Sequence, residues 1–143
     1  MVLPSSIADR NRGQYDAEAI LKFLQLITVD SSVYKLGLIN EDCYTRGVKF
    51  VFGEAMLKGY ELFVALPRLR ESFYGRSENR PLFFQRVLKE TVHELGHAFG
   101  LLHCPNQNCA MHFSAIVEQT DRKNGTFCSR CLSLLRQYES SLI

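Results

Sequence analysis

The stretch of sequence that decides the fold reads His93-Glu94-Leu95-Gly96-His97-Ala98-Phe99-Gly100-Leu101-Leu102-His103. Its first two histidines are four residues apart, which on a helix places them on one face, offset by about 40° and roughly 6 Å along the axis. Both imidazoles can therefore reach one cation. Gly100 lets the chain turn after the helix and bring His103 back as a third ligand. The stretch predicts a helix with two metal ligands and a turn that supplies the third.

This ligand set predicts a catalytic zinc ion, because three protein ligands leave a fourth position open for water. Bound zinc lowers the pKa of its water toward about 7 and polarises a peptide carbonyl. Glu94, beside a ligand, can take the proton of that water and pass it to the leaving amine. The stretch therefore predicts peptide-bond hydrolysis with Glu94 as general base. A bare His-Glu-x-x-His pattern often arises by chance, and Gly100 and His103 are what make the interpretation specific.

A second metal site is predicted from the cysteines, four of which are crowded between positions 104 and 131. Cys104 and Cys109 pair up before a loop and Cys128 and Cys131 after it, an arrangement that closes a four-thiolate tetrahedron around zinc. Such a zinc is structural, because sulfur fills every position. A redox-active Cys-x-x-Cys, two disulfides and an iron centre stay open as alternatives. Cys43 is left over, and we expect it to be a buried reduced thiol.

Length and composition predict one globular domain, since the chain has 143 residues, of which 46% are hydrophobic and 22% charged. The net charge of +2 comes from 17 basic and 15 acidic residues spread along the sequence, which gives no basic face for nucleic acid. The arginines from Arg68 to Arg86 are interpreted as a solvated loop and helix edge. No window approaches the roughly 20 apolar residues of a membrane span, and no signal peptide is evident. We therefore expect a cytoplasmic monomer that binds neither nucleic acid nor membrane.

Hydrophobic periodicity predicts the elements before the motif. An amphipathic helix is expected over 15–27, with Asp16 available to cap its start. Short runs rich in Val, Phe, Tyr and Leu, separated by Gly, Asn and Asp, predict three strands at 33–39, 49–54 and 60–67. The half of the chain before the motif is thus expected to combine a helix with a small sheet.

The active-site helix is predicted over about 81–99, starting at Pro81 and ending before Gly100. Its two sides differ in the pattern: one carries Phe84, Val87, Leu88, Leu95, Ala98 and Phe99, and the other carries Arg86, Glu90, His93 and His97. The chain after Gly100 is expected to be irregular until a closing helix over 128–138.

Taken together, the stretch from His93 to His103, the two cysteine pairs and Met111 resemble the archaemetzincins, a branch of the metzincin metallopeptidases. Metzincins carry the extended three-histidine motif and a downstream Met in a tight turn beneath the metal, which Met111 matches. The resemblance implies a metzincin-like zincin of the α/β (α+β) class. Its parts are a small mixed twisted sheet with an antiparallel edge strand, an active-site helix, and an irregular C-terminal subdomain closed by a helix and a four-cysteine zinc site.

The resemblance also implies how the chain is organised. We expect one metalloprotease domain, 1–143, with an N-terminal subdomain, 1–100, that contains the active-site helix. The C-terminal subdomain, 101–143, holds the Met-turn and the four-cysteine zinc site. Two zinc ions per chain follow, one catalytic and one structural. The chain would begin near the second strand of the family, at 2–3.

The resemblance implies that 49–55 is the edge strand above the cleft, and a peptide or protein substrate is expected to bind along it. An exposed edge pairs with an extended peptide through main-chain hydrogen bonds, here antiparallel and across the zinc. The expected substrate-binding residues are Phe50, Val51, Phe52, Gly53 and Phe113. Phe113 also occupies the place where some metzincins have a Tyr that assists transition-state stabilisation, and it has no hydroxyl to donate.

Two other classes of function stay open at this point. One is a zinc-stabilised peptide-binding module with little or no turnover, and the other is a four-cysteine zinc-ribbon adaptor. The intact Glu94 favours hydrolysis, because a pure binder has no use for a general base. The lack of a basic face disfavours the adaptor.

Overall fold

A computed structural model describes residues 1–27, 29–30 and 32–140 as a mixed α+β fold. The strands are β1 (Ala8–Asp9), β2 (Gln14–Asp16), β3 (Lys35–Ile39), β4 (Cys43–Tyr44), β5 (Gly53–Ala55) and β6 (Glu61–Ala65). The helices are α1 (Ala17–Gln25), α2 (Arg80–Ala98), α3 (Val117–Arg122) and α4 (Ser129–Ser140), and short 3-10 turns lie at Ser5–Ile7, Pro67–Leu69 and Glu71–Tyr74. Among these described residues, no helix has both the length and the apolar character that a membrane crossing requires.

The strands are distributed over two small sheets, each of which mixes parallel and antiparallel pairs. In the first sheet β2 pairs antiparallel with β1 and parallel with β4. In the second, β6 lies between β3, which is parallel to it, and β5, which is antiparallel. A mixed sheet with an antiparallel edge strand is therefore present, but the edge strand covers only Gly53–Ala55 instead of the expected 49–55, and the strands of the first sheet were not predicted. Residues 2–3, where the resemblance implied a strand, are irregular.

The central strand β6 organises the core on both of its faces. All five of its residues are buried, as expected for a strand with neighbours on both sides. Phe63 packs in one cluster with Ile20 and Leu24 of α1, whereas Val64 faces a second cluster with Phe52 and Leu69. The strand alternation thus joins α1 to the sheet on one side and leaves the other side for the active-site helix.

Helix α1 starts where the sequence predicts a cap. The Asp16 side chain accepts a hydrogen bond from the Glu18 backbone N–H at 3.2 Å, which satisfies one free donor of the first turn. The helix is shorter than the predicted 15–27, because Tyr15 belongs to β2 and the helix ends at Gln25. Ile27, which we expected on the apolar stripe, is 39% exposed.

Helix α2 matches the predicted position within one residue at each end, and the Asn79 side chain caps it by accepting from the Leu82 N–H at 3.2 Å. An amphipathic helix usually buries its apolar side, but the apolar side of α2 is largely exposed. Phe84 and Leu88 are each 59% exposed. The buried residues lie mostly on the polar side, and they are Arg86, Glu90, His93, Glu94, Gly96 and Ala98.

The buried side of α2 is possible because charged partners come from distant parts of the chain. The Arg86 guanidinium lies 2.8 Å from Glu71 Oε1 and 2.7 Å from Asp121 Oδ1, and it donates to the Leu69 carbonyl at 3.0 Å. The interpretation of this stretch as a solvated helix edge is therefore wrong for Arg86, which is 1% exposed. A buried charge is tolerated only when it is paired in this way.

The C-terminal part is more regular than predicted. It contains α3, which the sequence pattern did not reveal, and α4 in the place of the predicted closing helix. Its own apolar cluster gathers Leu101, Cys104, Cys109, Met111 and Cys131, with Phe127 and Leu135 packed against it. Cysteines thus form much of this small core, which places a cluster of metal-binding atoms at its centre.

Candidate metal centres and cleft

The two histidines of α2 are oriented by their own hydrogen bonds. His93 Nδ1 lies 2.7 Å from the Ala110 carbonyl and His97 Nδ1 lies 2.7 Å from the Leu101 carbonyl. Because a carbonyl only accepts, each Nδ1 carries the proton and each Nε2 of the neutral ring has a free lone pair. The two Nε2 atoms nevertheless lie 3.1 Å apart. Two facing lone pairs call for a cation between them, and ligands at 2.0–2.1 Å from a tetrahedral zinc stand about 3.3 Å apart.

The third histidine reaches the same point through the turn at the end of α2. Gly100 has φ +107, a conformation that side-chain-bearing residues rarely adopt, and its N–H donates to the His97 carbonyl at 2.9 Å. The His103 ring then lies 5.3 Å from the His93 ring and 4.9 Å from the His97 ring. One ligand atom from each of the three histidines lies within 4.8 Å of the others.

Electrostatics favour the neutral, metal-binding form of these rings. Burial lowers the pKa of His93 well below its ordinary value and also lowers the pKa of His97 and His103. A neutral imidazole is the form that donates a lone pair to a metal. The three residues therefore fit a zinc ion in both geometry and protonation.

Glu94 lies next to this cluster in a carboxylate-rich environment. It is 4% exposed, and burial raises the pKa of its carboxyl well above the usual range, with further increases from Glu90 and Glu54. The edge strand β5 lies directly against it, because a Cβ added to Gly53 would stand 3.1 Å from both Glu94 Cγ and Oε1. The general-base candidate is thus confined between α2 and the backbone of the edge strand.

Met111, the residue that the resemblance predicts for the Met-turn, packs against the helix that carries His93 and His97. It is fully buried, and its Sδ atom fills the space that a side chain at Gly96 would need. The Met111 carbonyl accepts from the Cys104 N–H at 2.9 Å, which ties the turn to the residue after His103. The methionine therefore packs against the active-site helix at Gly96 and also belongs to the apolar cluster that contains the cysteines.

The four C-terminal cysteines meet in a second cluster, with their sulfur atoms within 4.8 Å of one another. Cys104 Sγ lies 3.8 Å from Cys128 Sγ, and Cys109 Sγ lies 3.7 Å from Cys131 Sγ. Four sulfurs at about 2.3 Å from a tetrahedral zinc would stand about 3.8 Å apart, so the spacing fits a shared metal. It is too wide for disulfides, which need about 2.05 Å. The cluster is the four-cysteine arrangement that the sequence predicts.

Backbone donors contact two of these sulfurs and oppose the effect of burial, which raises the pKa of Cys109 and of Cys131. Cys109 Sγ accepts from the N–H groups of Met111 and Cys128, at 3.4 and 3.3 Å. The backbone N–H of Cys131 lowers the pKa of the Cys128 thiol to about 7. Cys43, by contrast, is fully buried far from the cluster in sequence, and burial raises its pKa to about 12. It is the isolated reduced thiol that we expected.

A cleft of about 540 Å³ opens over the histidine cluster. Its lining includes all five residues expected to bind substrate: Phe50, Val51, Phe52, Gly53 and Phe113. Sequence reasoning missed Glu54 and Glu90, which also line it. Glu90 stands three residues before His93 on the same side of α2, a spacing that could have drawn attention to it.

An open three-histidine site, a buried carboxylate beside it and a cleft under an edge strand define the class of zinc-dependent peptidases. Sequence comparison narrows the class. The model of Peptidase family M54 matches residues 3–137 of the chain. The chain therefore belongs to this family and is a zinc metallopeptidase.

Individual relatives agree with that assignment. The chain is 42% identical to an archaemetzincin of Methanopyrus kandleri over 135 residues, 94% of this chain and 73% of the relative. It is 42% identical to an archaemetzincin of Methanocaldococcus jannaschii over 126 residues, 88% of this chain and 68% of that one. The archaemetzincin resemblance inferred from the motifs is thereby confirmed.

Solved structures support the fold as well. The crystal structure of archaemetzincin from Methanopyrus kandleri superimposes with a TM-score of 0.87 at 41% identity, covering 96% of this chain and 73% of that one. A zinc-dependent peptidase from Methanocorpusculum labreanum gives a TM-score of 0.83 at 30% identity, over 94% and 81% of the two chains. The mixed α+β archaemetzincin fold is thus common to these proteins.

Proposed function

We propose that the chain hydrolyses peptide bonds with Glu94 as general base and with two zinc ions, one catalytic and one structural. His93, His97 and His103 would hold the catalytic ion, and the four clustered cysteines the structural one. The observation that carries this proposal is the pair of Nε2 lone pairs 3.1 Å apart beside a buried carboxylate. When bound, the zinc would activate a water molecule and polarise the peptide carbonyl.

Glu94 would move the protons of the reaction. Its carboxylate would accept a proton from the attacking water and return it to the nitrogen of the leaving amine, so that no proton is left over at the end of a cycle. Confinement between α2 and β5 supports this role, because burial raises the pKa of the carboxyl and so makes the carboxylate a stronger base. Its neighbours Glu90 and Glu54 act in the same direction.

The substrate would lie along the edge strand in an extended conformation. Within the described part of the chain β5 pairs through one edge, with β6, and its residues line the cleft that contains the histidines. Main-chain groups near Gly53 would then hold the peptide, while Phe50, Phe52 and Phe113 contact its side chains. This arrangement suits peptides of varied sequence, because main-chain hydrogen bonds do not depend on the identity of the side chains.

The structural zinc would stabilise the C-terminal subdomain, which is expected to follow residue 100. The small apolar cluster around Leu101 and Met111 contains three of the four cysteines. A core of that size gains much of its stability from metal, as small metal-bound domains do.

The decisive experiment compares the wild type with Glu94→Gln on a mixed peptide library, with the products identified by mass spectrometry. We expect kcat to fall by about 10²–10⁴-fold, because the amide cannot accept a proton. Glu18→Gln is the matched control, since its side chain is 71% exposed at the start of α1. Zinc content should stay unchanged in both variants.

The same experiment distinguishes the alternative class of function. If the chain is a peptide-binding module, both the wild type and Glu94→Gln should bind library peptides, and neither should cleave them. Equal product patterns from the two proteins would likewise end the claim that Glu94 is the base. Loss of products in Glu94→Gln alone supports hydrolysis.

A further inference from the structure

His103 is the least restrained of the three histidines. The rings of His93 and His97 each donate to a backbone carbonyl, but across the described residues no hydrogen bond holds the ring of His103. His103 is also exposed and lies in an irregular segment after the helix. Its position therefore depends on how firmly the neighbouring backbone is held.

The backbone next to His103 is held by His112. The His112 ring donates from Nδ1 to the carbonyl of Cys104 at 2.8 Å, since a carbonyl only accepts. The Cys104 N–H donates in turn to the Met111 carbonyl at 2.9 Å. The backbone N–H and the backbone carbonyl of Cys104, the residue after His103, are thus both hydrogen-bonded to the segment of Met111 and His112. From its position outside the ligand pattern, His112 would be interpreted as an ordinary histidine.

His112 is itself held by a buried cation. Lys123 is 1% exposed, and its Nζ atom lies 3.2 Å from the His112 carbonyl and 3.2 Å from Glu90 Oε1. Thr120 donates its hydroxyl to the same Glu90 oxygen at 2.7 Å. Lys123 therefore joins the active-site helix to the peptide just after Met111.

These contacts form a closed path. It runs from Glu90 on α2 through Lys123, His112 and Cys104 to His103, and the metal site returns it to α2. We propose that Lys123 and His112 are positioning residues that place His103 for metal binding. The inference rests on the proposed catalytic zinc. Outer partners of this kind orient metal ligands, and their loss costs about 10–100-fold in metal affinity.

A purely structural ion pair would not account for the arrangement. Burying two charges is costly, and an apolar pair of similar size often stabilises a fold as well. An ammonium group has further donors, however, and Lys123 uses one of them on the His112 carbonyl. An apolar side chain has no such donor. The contact to the Met-turn is thus the part of the network that only the lysine supplies.

The first test uses the double variant Glu90→Gln/Lys123→Met, which leaves no unpaired buried charge. We expect the catalytic zinc to bind about 10–100-fold more weakly in chelator competition, while the zinc of the four cysteines and the melting temperature change little. Cobalt(II) substitution separates the two sites, because only the cysteine site has thiolate-to-metal absorption. Lys89→Met is the matched control, since Lys89 joins α2 to Asp121 of α3 at 3.0 Å without touching the Met-turn.

The second test uses His112. His112→Ala should weaken the catalytic zinc by a similar factor, whereas His112→Asn should recover most of the affinity, because its amide offers a donor near the position of Nδ1. Equal weakening of both metals, or the same loss in Lys89→Met, would overturn the inference in favour of a structural role. Unchanged affinity in His112→Ala would overturn it as well. A wild type that binds no metal at the histidines would contradict the proposed function itself, and turnover is not needed for any of these measurements.

Discussion

The two clusters of ligand atoms are neighbours in sequence, at His103 and Cys104, but they lie in opposite environments. The imidazoles face a cleft of about 540 Å³, and His103 is exposed. Three of the four cysteines are buried in the C-terminal apolar cluster. The difference indicates that the fold, more than the metal, separates a reactive site from an inert one, because an open ligand position matters only where substrate can reach it.

The strongest way to break this comparison is to remove a ligand from each cluster. Cys109→Ser should abolish the structural zinc and weaken the catalytic one, because structural zinc sites contribute about 10–16 kcal/mol in small domains. We expect zinc content to fall from two ions per chain to fewer than one, with early unfolding of the C-terminal part. His103→Ala should lose only the catalytic ion and keep a cooperative thermal transition.

Metal analysis and thermal unfolding of the two variants measure this difference. If both variants lost the same metal and the same stability, the two clusters would be one cooperative unit and the comparison would be wrong.

The next largest effect is expected where Met111 packs against the active-site helix. Gly96→Ala would normally stabilise a helix interior, but here the added methyl group meets Met111 Sδ. We expect the free energy of unfolding to fall by about 1–3 kcal/mol, the usual cost of overpacking. Denaturant titration measures the change.

A double-mutant cycle identifies the cause of that loss. Introduced into Met111→Ala, the Gly96→Ala substitution should cost clearly less than in the wild type, because the clashing sulfur is gone and only Phe127 Cε1, at 3.1 Å, still crowds the added methyl group. A loss of the same size in both backgrounds would mean that the methionine is not what the added methyl group meets.

A smaller effect is expected at Phe113, whose ring lies 5.2 Å from that of His103 and is 51% exposed. Phe113→Tyr adds a hydroxyl on the cleft side, and we expect kcat to rise by about tenfold or less. A donor that is fully positioned is worth about 10²–10³-fold, and an added one is less well placed. Phe84→Tyr, on the exposed side of α2, is the control. An unchanged or lower kcat would mean that transition-state stabilisation has another source.

The smallest effect concerns the thiol that belongs to neither cluster. Because burial raises the pKa of Cys43 to about 12, about one such thiol in ten thousand is ionised at pH 8. Chelation should therefore expose four alkylatable thiols, counted by mass spectrometry, and the fifth should react only after unfolding. Cys128 should react first, since its pKa is about 7. Early labelling of Cys43 would contradict this assignment.

The motif and its spacing were sufficient to predict the helix and both ligand clusters, since these depend on local periodicity and fixed ligand chemistry. The cleft residues followed from the family resemblance and not from the spacing. The buried side of α2 was not predictable in the same way. From the sequence, Arg86 and Glu90 are interpreted as surface charges. Their partners, Asp121 and Lys123, are more than thirty residues away along the chain. The short strands β1, β2 and β4 also escaped prediction, because two or three residues carry too little pattern and their pairing is non-local.

Gly53 has a consequence for how the enzyme tolerates sequence change. A Cβ at this position would lie 2.5 Å from the Phe63 carbonyl oxygen and 3.1 Å from Glu94. The part of the edge strand that contacts the Glu94 carboxylate therefore consists of main-chain atoms, which substitutions at other positions leave unchanged. Side chains at neighbouring positions of the edge strand can vary while this backbone surface stays the same. The glycine hydrogen at position 53 sets how closely the strand approaches Glu94.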